Sequence, residues 1–184
     1  MSSNRVFRSS SLALSVLAIT FAATTVCWAQ ASKDSKEVSG LLSDVKTEAV
    51  QLRQDADELK MFTHVGRSWE SHVTKVEEIK RHVNNAGEHL TKLENVKSKA
   101  SPWQQQAIDR VTPLLKELAS NTTATIEQLN QKPKLLQSSP YADYADANYE
   151  VASNLAELIS EYVDYGKSKA RSEELASKLE APQR

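Results

Sequence analysis

Histidine is the side chain of this sequence with the clearest capacity to bind metal or haem, and all four histidines lie between positions 64 and 89. His82 and His89 are two helical turns apart, ~10 Å, which is too far for both to ligate one ion. No histidine has a glutamate three positions before it, so the di-iron bundle pattern is absent from the sequence. Cys27 is the only cysteine, which excludes the Cys-x-x-Cys-His attachment of covalent haem. We therefore predict no cofactor and expect His72 to be buried with a hydrogen-bond partner. A periplasmic bundle in which a helix 2 histidine ligates haem or metal is the alternative.

Motifs for hydrolysis or phosphate binding do not occur in this sequence, which has only four glycines and neither Gly-x-Ser-x-Gly nor a glycine-rich loop. The adjacent acid pairs at 77–78 and 173–174 would point about 100° apart on a helix, away from any shared substrate. Trp69 and Trp103 are expected at the first turns of helices, as core anchors rather than ligand platforms. The sequence thus predicts a protein that is not an enzyme.

Acidic residues of the last predicted helix share one face, because four of them recur every seven residues. No Lys or Arg occurs from 135 to 166, so pairs within this helix cannot neutralise them. A solvated outer face accounts for this pattern, and its functional interpretation is a docking strip for a basic protein or peptide. The strip comprises Asp143, Asp146, Tyr149, Glu150, Glu157, Glu161 and Asp164.

Four segments with helical periodicity must position these residues. Helix 1 is predicted from Val38 to about Thr63, with Gly66 in the left-handed conformation just after it. Helix 2 is predicted from about Ser68 through Lys97, with Trp69 beginning a seven-residue apolar repeat.

Helices 3 and 4 are each preceded by Ser-Pro. Ser101 is predicted as an N-cap, with Gln104 reaching back as in a capping box, and Ser139-Pro140 is predicted to open helix 4 in the same way. Pro113 predicts a kink or break in helix 3. The predicted inward column of helix 4 is Tyr141, Tyr144, Asn148, Val151, Leu155, Leu158, Tyr162 and Tyr165.

The first 31 residues have the order of a secretory signal peptide: two arginines, an uncharged run from Leu12 to Val26, then small residues. Cleavage after Ala29 or Ala31 fits, and an uncleaved anchor or a lipid anchor at Cys27 fits less well. Cleavage would lower the formal net charge from −1 to −3, so nucleic-acid binding is not expected.

Together these patterns predict an all-α protein, an up-down-up-down antiparallel four-helix bundle, with three-helix packing as an alternative. We predict a signal peptide at 1–31, the bundle at 32–166 and a charged tail at 167–184 that extends the last helix. The predicted function is non-enzymatic binding of a protein, peptide or envelope component in the periplasm or outside the cell, with no membrane span after signal cleavage. The oligomeric state is left open.

Overall fold

The computed structural model describes residues 33–180, so the predicted signal peptide and its two candidate cleavage sites lie outside the described residues. Within this range the chain forms four long helices and no strand: α1 (Lys36–Val65), α2 (Trp69–Val96), α3 (Pro102–Gln131) and α4 (Tyr141–Glu180). A single 3₁₀ turn, Lys97–Lys99, follows α2. The prediction of an all-helical, four-helix arrangement is confirmed.

Local capping signals set most of the helix ends. Gly66 follows α1 with φ of 66°, the left-handed conformation predicted for it. The Ser68 hydroxyl accepts a hydrogen bond from the backbone N–H of Ser71 at 3.3 Å and caps α2. At the start of α3, Gln104 Oε1 accepts from the backbone N–H of Ser101 at 3.0 Å, which is the reach-back predicted from the sequence.

The predicted start of helix 4 was wrong. Helix α4 begins at Tyr141, one residue later than a Pro140 start, and the Ser139 hydroxyl donates to the Asp143 carboxylate at 2.6 Å. Of the two alternatives predicted at Pro113, the break was wrong, because helix α3 runs unbroken through that residue. The proline is exposed, while Val111 and Leu115 on either side of it are buried, so core packing on both sides holds the helix together despite the lost backbone donor.

One apolar core joins all four helices. Helix α1 packs on α2 and α4, and α3 packs on the same two helices. Seven-residue spacing is visible in the buried residues, for example Val38, Val45, Leu52 and Leu59 of α1. Burial of the predicted α2 repeat is also observed from Val76 onward, but Trp69 at its start is 40% exposed and is not a core anchor.

The buried face of α4 differs from the predicted column. Three residues that the prediction omitted lie fully buried at seven-residue spacing: the small residues Ala145 and Ala152, and Ile159. Tyr144 and Tyr162 are half-buried, and Tyr165 is 53% exposed. The prediction followed the larger apolar side chains, whereas alanine lets the α4 backbone approach its neighbours closely and so sets the buried face.

Helix α4 is about ten residues longer than the others, which corresponds to ~15 Å of extra helix. It continues through Gly166, and residues 171–180 are all exposed. The described part of the predicted tail therefore continues the helix, without burial in the core.

Candidate partner-binding site

The four acids of the strip that recur every seven residues lie on the outside of α4, as predicted. Asp143, Glu150, Glu157 and Asp164 are all exposed, on the side of the helix opposite the buried Ala152 and Ile159. A seven-residue repeat drifts by only ~20° per step on a straight helix, so one continuous α4 keeps the four carboxylates in a single column.

Lysines of α1 neutralise part of this strip, which same-helix reasoning could not anticipate. Lys46 Nζ lies 3.0 Å from Asp164 Oδ1, and Lys60 Nζ lies 3.3 Å from Asp146 Oδ1 without hydrogen-bond alignment. Lys60 Nζ also sits 5.0 Å from the centre of the Tyr149 ring, within cation–π range. The two positive charges therefore compensate the strip near its ends.

Between these lysines, α1 and α4 enclose an open polar groove of about 880 Å³. Its α4 wall holds four of the seven predicted residues, Tyr149, Glu157, Glu161 and Asp164. The space between the two helices stays open because side chains there, such as those of Ser153 and Ser160, are small. The α1 wall adds Arg53 and Asp57. Apart from Asp164, which pairs with Lys46, the groove holds three carboxylates and one guanidinium, a net charge of −2.

The other three predicted residues lie outside the groove. Asp143 accepts the hydrogen bond from Ser139, Asp146 faces Lys60, and Glu150 is exposed. The structure thus brings the second half of the predicted strip together with α1 and leaves the first half as a solvated surface.

A second charged cluster, which the sequence analysis missed, lies between α1 and α2. Lys75 Nζ contacts Asp55 at 3.1 Å, Glu58 at 2.8 Å and Glu78 at 2.5 Å. Burial alone would lower the pKa of Lys75, but the hydrogen bonds from its ammonium to these carboxylates outweigh burial and raise that pKa. The same contact with Lys75 lowers the pKa of Glu58. The shared ammonium group of Lys75 joins the two helices, and the cluster keeps a net charge of −2.

His82 and His89 face carboxylates of α1 and are only partly exposed. His82 Nδ1 is 2.5 Å from Glu48 Oε2, and its Nε2 is 3.6 Å from Asp55 Oδ2. The two ring nitrogens point in opposite directions, so these carboxylates cannot join the imidazole on one ion. His89 Nδ1 lies 3.9 Å from Asp44. Among residues 33–180, no cluster of three His, Cys, Asp or Glu side chains is arranged to hold a metal ion.

His72 is fully buried with a hydrogen-bond partner, as predicted. Its Nδ1 is 2.9 Å from the Tyr141 hydroxyl, and its ring packs edge-on against Phe62 and Tyr141. Burial lowers the pKa of the imidazole and raises the pKa of the Tyr141 phenol, so both groups are held neutral. No partner for its Nε2 is found among the described residues.

Polar side chains at the opposite end of the bundle tie the start of α1 to α3 and α4. Gln104 is fully buried and donates to the Ser35 carbonyl at 2.8 Å, while Trp103 Nε1 donates to Asp34 Oδ1 at 2.8 Å. Lys169 Nζ lies 2.8 Å from the other oxygen of Asp34. Burial opposes ionisation of Asp34, but the hydrogen bonds from Lys169 and Trp103 lower its pKa overall.

The fold and the site define an all-helical protein with an acidic groove between its first and last helices. The chain matches no protein-family model, no curated protein and no solved structure. Across residues 33–180, none of the helices combines the length and the apolar character needed to cross a membrane. Function must therefore be argued from the site itself.

Proposed function

We propose that this chain is a non-enzymatic, exported helical-bundle protein that binds a basic protein or peptide in the α1–α4 groove. The observation that carries the proposal is the excess of carboxylates there: Asp57, Glu157 and Glu161 share the groove with Arg53 alone, while Asp164 is paired with Lys46. Complementary charge gives fast and selective capture of a cationic partner, and the effect declines as salt rises.

The bundle is inferred to be an up-down-up-down antiparallel one. Pairs between neighbouring helices support this topology, because residues late in one helix pair with residues early in the next. Asp55 and Glu48 of α1 approach Lys75 and His82 of α2 in that reversed order. Lys46 and Lys60 of α1 approach Asp164 and Asp146 of α4 in the same way. A rigid, antiparallel α1–α4 pair would keep the groove preformed, which reduces the entropic cost of binding.

Export is proposed from the order of residues 1–31 alone, with the mature protein in the periplasm or outside the cell. Intact mass of the native protein tests it: a mature N-terminus at Gln30 or Ser32 is expected, and an exported protein that retains Met1 would contradict cleavage.

Binding is tested by fluorescence anisotropy with a fluorescein-labelled, 20-residue Lys/Ala helical peptide, using the same peptide with Glu in place of Lys as the negative probe. We expect saturable binding of the Lys peptide at 25 mM NaCl, weakened several-fold at 200 mM. Glu157→Gln with Glu161→Gln should weaken binding about three- to tenfold at low salt, since each removed charge is worth a few tenths to 1 kcal/mol in water. Glu173→Gln with Glu174→Gln on the exposed tail is the matched control.

Substitution of Lys46 and Lys60 provides a second test, in which binding should become stronger instead of weaker. If they neutralise the ends of the groove, Lys46→Gln with Lys60→Gln should strengthen binding of the Lys peptide about two- to fivefold. A general loss of structure would weaken binding instead. If neither pair of substitutions changes the affinity, the acidic strip is a solvated surface and the proposed site is wrong.

The alternative, a periplasmic haem- or metal-binding bundle, has no structural observation in its favour. Absorption between 350 and 600 nm, with elemental analysis of the purified protein, tests it directly. A one-to-one Soret band or stoichiometric metal would replace the proposed function by this alternative.

A further inference from the structure

A second pocket, of about 310 Å³, opens at the end of the bundle where α1 begins. It lies among the first turns of α1, the start of α3 and the last third of α4. Leu42 and Val163, both buried, form an apolar floor together with Trp103. Gly166 makes room for the indole, because a Cβ at that position would lie 2.7 Å from Trp103 Cη2. The pocket shares no lining residue with the α1–α4 groove.

The rim of this pocket is positive, in contrast to the groove. Lys33, Lys36 and Lys167 line it, are exposed, and make no ion pair with any side chain in the described part of the chain. Lys169 Nζ lies 2.8 Å from Asp34 and 3.4 Å from Glu173, so the two acids of the lining share one ammonium group. With Lys169 included, four ammonium groups face two carboxylates, and an anion at the mouth would meet a net charge of +2 from these described residues.

We propose that this pocket binds a small, single-chain amphiphile with an anionic head group, the chain against Trp103 and the head group among the three lysines. Apolar floors with a few convergent polar groups are typical of small-molecule sites, and this volume is at the lower end of their usual range of ~300–1,000 Å³. This volume is enough for one short alkyl chain and too small to enclose both chains of a two-chain lipid. We therefore commit to a single-chain ligand taken up from solution.

Sodium octanoate is the probe, with octylammonium chloride as the probe of equal chain length and opposite charge. Isothermal titration calorimetry should show one site for octanoate and at least tenfold weaker binding of octylammonium. In ¹H–¹⁵N spectra the indole signal of Trp103 should shift with octanoate, because its N–H donates to Asp34 beside the pocket. The indole signal of Trp69, near the other end of the bundle, should not move.

Two kinds of variant separate the pocket from general surface binding. Ala170→Phe fills the mouth and should abolish octanoate binding, whereas Ala176→Phe, on the exposed tail, should not. Replacing the three rim lysines by Gln should weaken octanoate binding at least tenfold, and the same change at three exposed lysines elsewhere should not. The control set is Lys92, Lys99 and Lys116.

Three results would overturn the proposal: equal affinity for octanoate and octylammonium, undiminished binding by Ala170→Phe, or binding to phosphatidylglycerol vesicles without binding to octanoate. Circular dichroism establishes that each variant is folded, and the lysine set alters only exposed side chains. Glu157→Gln with Glu161→Gln should leave octanoate affinity unchanged. The octanoate pocket and the proposed peptide groove can therefore be refuted independently of each other.

Discussion

Replacing His72 by Phe is expected to remove a pH dependence from the stability of the bundle. The imidazole is fully buried, and burial lowers its pKa in the folded protein. In the unfolded chain the same group titrates near the ordinary value of ~6.5. As pH falls below that value, the unfolded chain takes up a proton that the folded protein excludes. Stability due to this group is therefore fully present above pH ~6.5 and decreases in acid.

The size of the effect is bounded by protonation of the unfolded chain. At pH 5.0 a group with an unfolded pKa of ~6.5 stabilises the unfolded state by at most ~2 kcal/mol, and the steepest slope is ~1.4 kcal/mol per pH unit. The substitution also removes the 2.9 Å hydrogen bond to Tyr141, which should cost about 1–3 kcal/mol at every pH. The free energy of unfolding of the wild-type protein should exceed that of His72→Phe at pH 7.5, and this difference should decrease by up to ~2 kcal/mol between pH 7.5 and 5.0.

Urea unfolding followed by circular dichroism at four pH values between 7.5 and 5.0 measures this difference. His64→Gln, at an exposed position on α1, is the matched control and should follow the wild type. Adding Tyr141→Phe to His72→Phe removes the unpaired hydroxyl and should recover part of the stability that His72→Phe loses at every pH. Parallel curves for wild type and His72→Phe would show that the buried imidazole takes up a proton in the folded protein as readily as in the unfolded chain, and would refute the reasoning.

Four further substitutions test the packing, each by urea unfolding. Lys75→Met should cost about 2–4 kcal/mol, because three carboxylates lose a shared cation, and a change below 0.5 kcal/mol would contradict the cluster. Gly166→Ala should destabilise by about 1–2 kcal/mol and shift Trp103 emission, whereas Gly87→Ala, with open space around its Cβ, should stabilise by about 0.5–1 kcal/mol. Pro113→Ala should add about 1–3 kcal/mol by restoring a backbone donor, and a loss would show that packing requires the proline.

The helices were largely predictable because their signals are local. A serine N-cap at Ser68 and a left-handed glycine at Gly66 act within a few residues, so the sequence alone defines that turn. The rotation of α4 about its axis was not predictable in this way. It depends on which residues let the neighbouring helices come close, and Ala145 and Ala152 carry too little apolar surface to stand out in a hydrophobic pattern.

The candidate site was predictable only for the part that one helix supplies. Spacing alone placed Glu157 and Asp164 on a common exposed face. Lys46 and Asp57 belong to α1, about a hundred positions earlier, and spacing cannot show which helices become neighbours. Trp69 was mispredicted for a related reason: at the first turn of α2 it lies beside the edge of the core, where its indole reaches only the Leu129 carbonyl at 3.4 Å.

Charge is distributed differently over the two boundaries of α1, and this difference locates the proposed groove. Against α2, the acids of α1 contact a basic side chain, since Asp55 and Glu58 share Lys75 and Glu48 faces His82. Against α4, Lys46 and Lys60 occur near the ends of the boundary, and between them Asp57, Glu157 and Glu161 outnumber Arg53. Small side chains on α4 leave that middle section open to solvent instead of closing it by packing. A cationic partner would therefore meet these three carboxylates without first breaking an ion pair among the described residues, whereas along α2 it would have to displace Lys75.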